Sequence, residues 1–179
     1  MSTYAGFRLR LSAFLWDYLV IFGYILLVTL VIWWLALRML AELANRVFSN
    51  PYWFDAFAFL VLVLPVILYF SVTEASRWQA SLGKRKLGLQ VDSLDGQRIS
   101  WIRSFVRSGL KFLPWQIAHT CIFHIPGWPA HVQNIPPGVE FGLVIVWLLV
   151  SASVIFLAFD PSHRTLYDRI AGTVVKRKT

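Results

Sequence analysis

The chain has 179 residues, of which 58% are hydrophobic, 16% aromatic and only 15% charged, and its formal charge is +8. That balance excludes a soluble enzyme and describes a small polytopic membrane protein, one domain by length. The basic excess does not call for nucleic acid. Fifteen of the 17 Lys and Arg lie before the first apolar run, in 74–111 or after 160, and 126–138 holds none.

The positive-inside rule places those three blocks, and both termini, in the cytoplasm, against anionic lipid headgroups. In chain order, residues 1–10 form a short lead in which Arg8 and Arg10 can snorkel to the interface. Residues 11–37 are apolar on every side, which suits a helix bathed in lipid. At about 1.5 Å per residue the run reaches about 40 Å, enough to cross about 30 Å of hydrocarbon. It has no small-residue cleavage site and reads as an anchor. Its one charge is Asp17, two helical turns from Arg10 and about 10 Å along the axis. A charge at that depth must face protein or water. Two readings stand for it: a structural ion pair or hydrogen-bond anchor, and a proton or cation site.

Residues 38–55 begin as an amphipathic continuation and break at Ser49-Asn50-Pro51. A second span follows over 56–72, where Pro65 removes a backbone donor, kinks the helix and frees a carbonyl for a neighbour or an ion. The segment 74–100 is cytoplasmic. Its patch Gly83-Lys84-Arg85-Lys86 lacks the upstream glycine of a phosphate loop. Alternation over Leu87–Val91 and the Asp95-Gly96 turn predict a small β-hairpin at the membrane surface.

Arg103, Arg107 and Lys111 recur at i, i+4 and i+8, a cationic stripe on an amphipathic helix. The loop charges nevertheless require a crossing before 126–138. The first resolution is an amphipathic half, a break at Pro114-Trp115 and a tilted crossing to about 125. The second is one long third span over 101–125 with its cations inside the bundle. His119, Cys121 and His124 have no standard metal spacing, so no metal is assigned. A lone cysteine excludes an intramolecular disulfide. No nucleophile–base pair emerges and no cofactor is implied, so the chain is not read as an enzyme. A loop with four prolines, 126–138, leads into the last span at 139–159. After it, Thr165-x-x-Asp168 matches a capping box for a short helix that Gly172 closes, and 173–176 can add a strand to the hairpin. The expected fold is thus all-α and polytopic, with three to four transmembrane helices and a small cytoplasmic β-hairpin.

Three blocks carry a resemblance: Arg10-Leu-Ser-Ala-Phe-Leu-Trp-Asp17, Ser81-Leu-Gly-Lys-Arg-Lys-Leu-Gly-Leu-Gln-Val91, and Arg164-Thr-Leu-Tyr-Asp168-Arg-Ile-Ala-Gly-Thr173. Together they resemble the RDD family of bacterial integral membrane proteins, named for one arginine and two aspartates. By motif these are Arg10, Asp17 and Asp168, and the likeness covers nearly the whole chain. It implies a multi-pass protein of the bacterial inner membrane. It also implies transport of a small solute or cation, with proton-coupled exchange at the intramembrane Asp17. The other implied role is a non-catalytic scaffold, assembly factor or regulatory subunit, with a homo-oligomer or a membrane-protein partner.

Overall fold

The computed structural model describes residues 4–38, 42, 49–128, 131–132 and 134–178. Most of the amphipathic continuation expected after residue 38, and parts of the proline-rich loop 126–138, lie outside the described residues. The elements in order are helix α1 (Phe7–Arg38), α2 (Pro51–Ala75), a short α3 (Leu82–Lys86), strand β1 (Leu89–Ser93), α4 (Trp101–Phe123), α5 (Pro137–Phe159), a short α6 (Leu166–Ile170) and strand β2 (Thr173–Arg177).

Three of these helices, α1, α2 and α5, are long and apolar enough to cross a membrane. Their outward faces carry large apolar side chains such as Leu27, Trp33, Phe141 and Trp147, as lipid contact requires. The inner contacts are few and aromatic. Ile21 of α1 meets Val66 and Phe70 of α2, with Phe112 of α4 packed against them.

Helix α2 shows what Pro65 does. The helix carries a π-helical turn over Phe59–Val63 immediately before the proline. Pro65 has no N–H to give to the carbonyl of Val61, and Tyr24 of α1 supplies the missing donor, Oη to Val61 O at 2.6 Å. The freed carbonyl serves helix packing.

Helix α4 departs from the first resolution of 101–125. It runs without a break from Trp101 through Pro114 to Phe123, capped by the Ser100 hydroxyl, which accepts from the Arg103 N–H. Arg107 and Lys111 turn inward and Arg103 faces out, so the expected stripe is divided between two surroundings. At the end of α4 away from these cations, Asp55 of α2 accepts hydrogen bonds from Gln116 and Thr120 of α4, at 3.0 and 2.9 Å.

A polar layer closes one end of the bundle. The Asp95-Gly96 turn forms, with Gly96 at φ +76°, but its return arm is reduced to a single bridge between Asp92 and Arg98. The five-residue partner of β1 is β2, antiparallel, with Val91 opposite Val175. β2 offers the more apolar face, and Val91, Val175, Leu89 and Ile99 bury together with Ala5 and Ala13 beneath the sheet. The N-terminal residues join the same sheet, because Ala5 N–H donates to Val175 O at 3.0 Å.

Candidate functional site

Asp17 is buried, and its partners are neutral. Ser81 Oγ donates to Oδ2 at 2.6 Å, while the Gly83 N–H and the Tyr69 hydroxyl donate to Oδ1 at 2.8 and 2.9 Å. Of the structural readings, Asp17 takes the hydrogen-bond anchor, and an ion pair to it is absent among the described residues. Three donors converging on one carboxylate replace its lost water as well as a cation would. Tyr69 also accepts from the Leu82 N–H at 3.0 Å, which locks α3 onto α1 and α2.

Gly83 makes this approach possible. A Cβ there would overlap the Ala13 carbonyl oxygen and crowd the Asp17 carboxyl group, and the first of these is backbone that cannot swing away. Gly83→Ala is accordingly expected to undock α3 and lower the melting temperature in detergent about as far as Asp17→Ala does. A Gly83→Ala protein that melts with the wild type would show that the contact does not hold the fold.

The second cluster is a chain of buried charges. The Asp168 carboxylate receives Arg10 Nη1 on Oδ2 at 2.5 Å and Arg107 Nη2 on Oδ1 at 2.7 Å. Arg107 reaches on through Nη1 to Glu74 Oε2 at 2.5 Å, and Lys84 Nζ holds the other oxygen of Glu74 at 2.7 Å. Five side chains from α1, α2, α3, α4 and α6 are thus joined in one line. Asp168 at the same time completes the N-terminal capping box of α6. The Thr165 side chain accepts from the Asp168 N–H and the Asp168 side chain from the Thr165 N–H, the expected capping box. Burial alone would raise the Asp168 pKa, but Arg107 and then Arg10 outweigh it and hold the carboxyl well below the usual carboxylate range.

Arg10, Lys84 and Arg107 of this charge chain also line a cleft of about 300 Å³ between α1, α4 and α5. Its charged lining is Arg10, Lys84, Arg107 and Lys111 with Asp17, and its apolar wall includes Phe14, Leu110, Val154 and Leu157. Lys111 is the exception in this charged cluster. Its ammonium lies 3.5 Å from the ring centre of Phe70 and near Phe14 and Phe112, with no ion pair among the described residues.

Arg10 and Asp168, 158 positions apart, therefore meet directly, while Asp17 sits beside them on separate partners. Glu74, Lys84, Tyr69 and Ser81 are site residues that sequence reasoning missed. Glu74 had a signal, as the one charged residue in 56–75, but its place at the helix end reads as a wet terminal acid. His119 and His124 stay apart in function: one stacks on Phe123, and Nδ1 of the other lies 2.8 Å from the Thr120 carbonyl.

Apolar helices exposed to lipid, tied at one end by a buried line of charges, define a multi-helix membrane protein with an electrostatic core. The RDD family model matches residues 4–172, and the chain belongs to the RDD family. It is similar to the uncharacterized protein YckC of Bacillus subtilis (strain 168), 29% identical over 176 residues, covering 98% of this chain and 85% of that protein. No solved structure matches.

Proposed function

We propose that the protein binds and translocates a small solute at the cleft beside the charge chain, and that the solute is anionic. The observation that carries this reading is Lys111, an ammonium facing a cavity without a carboxylate partner among the described residues. The sign follows from the balance of the cluster: Arg10, Lys84, Arg107 and Lys111 stand against Glu74, Asp168 and Asp17. A cation entering to exchange for a proton at Asp17 would meet that surplus, and would have to displace three donors from the carboxylate. Asp17 acts in this reading as an anchor of the site.

The three basic blocks support a reading in which the polar layer and both termini lie on the cytoplasmic side of a bacterial inner membrane, with α4 as a fourth crossing. The broad apolar faces of α1 and α5 leave room for lipid, a second copy or another membrane protein to pack there. For the topology, maleimide added outside whole cells is expected to spare Gln97→Cys in a Cys121→Ser background; labelling from outside would invert the whole reading.

Proteoliposome flux tests the function. Uptake of a labelled carboxylate or phosphate solute is expected to fall at least tenfold in Lys111→Gln, with the melting temperature little changed. Sodium-dependent proton release that Asp17→Asn abolishes would favour cation exchange instead. Silent vesicles, together with a membrane protein that co-purifies in stoichiometric amount, would favour the scaffold.

A further inference from the structure

The cleft opens between two lipid-facing helices. Its rim is formed by Phe7, Leu11 and Phe14 of α1 and Val150 and Val154 of α5, all exposed on the helix surfaces that face the hydrocarbon. Its floor is charged, and two of the groups there are under-used. Lys111 Nζ has no anionic partner among the described residues, and Arg10 Nη2 is buried with no hydrogen-bond acceptor, although the Arg10 side chain is only 9% exposed. A buried donor without an acceptor, as Arg10 Nη2 is, costs free energy unless one meets it, and Lys111 Nζ is met only by aromatic rings.

Depth adds a further constraint. Arg10 is in the first turn of α1, while Lys111 is about 15 Å along α4 from its start beside the polar layer. The charged floor therefore lies from the level of the phospholipid headgroups to somewhat below them. A solute arriving from water would have to pass the ordered layer of α3, β1, β2 and α6, whereas one arriving sideways from the bilayer meets only apolar side chains.

We propose that this cleft binds an anionic amphiphile, with its phosphate or carboxylate head on Lys111 and Arg10 and its chain in the groove between α1 and α5. The proposal deepens the reading above and rests on its preference for negative charge. The apolar rim matches an acyl chain and the cationic floor matches the head, so both ends of the ligand are complemented. About 300 Å³ takes the head and the first part of a chain, and the remainder lies along the open groove. An acidic phospholipid of the surrounding leaflet supplies this chemistry with a chain attached, and inorganic phosphate supplies it without one.

The test is thermal unfolding of delipidated protein in an uncharged detergent, with phosphatidylglycerol, phosphatidylcholine or inorganic phosphate added at saturating concentration. Phosphatidylglycerol is expected to raise the Tm by about 5 °C, and the other two by little. Lys111→Gln should lose that rise while its lipid-free Tm stays near the wild type, and Lys111→Arg should restore it. Val154→Trp, which fills the groove from its exposed side, should weaken the phosphatidylglycerol response with Lys111 intact. Equal stabilisation by phosphatidylcholine would overturn the proposal, since the groove would then be ordinary lipid contact. Equal stabilisation by inorganic phosphate would also overturn it, yet leave the anionic-solute reading in place. A selective response to phosphatidylglycerol in a protein whose vesicles are silent for flux would support the site while removing the transport reading.

Discussion

Replacing Arg107 with Leu is expected to be among the most damaging single changes in the chain. Arg107 is 1% exposed, and its guanidinium stands between two buried carboxylates, Glu74 of α2 and Asp168 of α6. Its removal takes one of two cationic partners from each. Breaking one buried pair typically costs about 3–5 kcal/mol, because the remaining charge has neither water nor a counter-ion. The partners that remain soften the loss, since Lys84 still holds Glu74 and Arg10 still holds Asp168. A loss of about 4 kcal/mol would still be a large fraction of an ordinary stability of about 5–15 kcal/mol. Arg103→Leu, one turn earlier and exposed, should change stability by no more than about 0.5 kcal/mol. Both are read as folded yield and melting temperature in a mild detergent. Adding Glu74→Gln and Asp168→Asn to Arg107→Leu should deepen the loss, because Lys84 and Arg10 are then left without their counter-ions. Similar melting of the Arg103 and Arg107 variants would mean that the charge line does not hold the helices together.

The spanning helices could be read from composition because lipid imposes no amphipathic pattern, and 11–37 or 139–159 has apolar residues on all sides. The capping box at Thr165 and Asp168 was equally open to reading, since both partners lie within one turn. The contact between Arg10 and Asp168 is different in kind. Nothing local links two residues so far apart, and only the family motif singled them out together. For Asp17 the sequence offered an ion pair and a hydrogen-bond anchor without deciding between them, and the geometry is that of the anchor. A buried carboxylate can be satisfied by a hydroxyl and a backbone N–H, and a backbone N–H has no sequence signature. The break expected at Pro114 failed for a related reason. A proline removes a donor, but a helix packed between two neighbours, as α4 is between α2 and α5, can keep its course. The strand pairing turned on burial. Asp95-Gly96 makes its turn, yet Val174 and Val175 bury more apolar surface against β1 than the return arm at Arg98 can.

Asp168→Asn is expected to fail nearly as badly as Asp168→Ala, although the asparagine amide oxygen can accept the Thr165 N–H of the capping box as the carboxylate does. The two functions of the side chain can be weighed separately. As the N3 partner of the capping box, its carboxylate accepts from the Thr165 N–H at 3.2 Å, a single hydrogen bond that contributes about 1 kcal/mol. As a counter-ion it takes Arg10 on one oxygen and Arg107 on the other, and each hydrogen bond to a charged group contributes about 1.5–3 kcal/mol. The charge term therefore wins, and Asn, which keeps the cap and drops the charge, should lose most of the stability that Ala loses. The dependence on pH has a definite sign. Because the folded pKa is depressed, the contribution of Asp168 is complete above the unfolded value of about 3.9 and is lost only as the pH falls below it. Between pH 7 and pH 5 the gap in melting temperature between wild type and Asp168→Asn should stay constant, and it should narrow only below about pH 4. An Asn variant that melts with the wild type would reduce Asp168 to a cap. A gap that closes near pH 6 would mean that some other group, not this carboxylate, titrates in the clasp between the tail and the transmembrane helices.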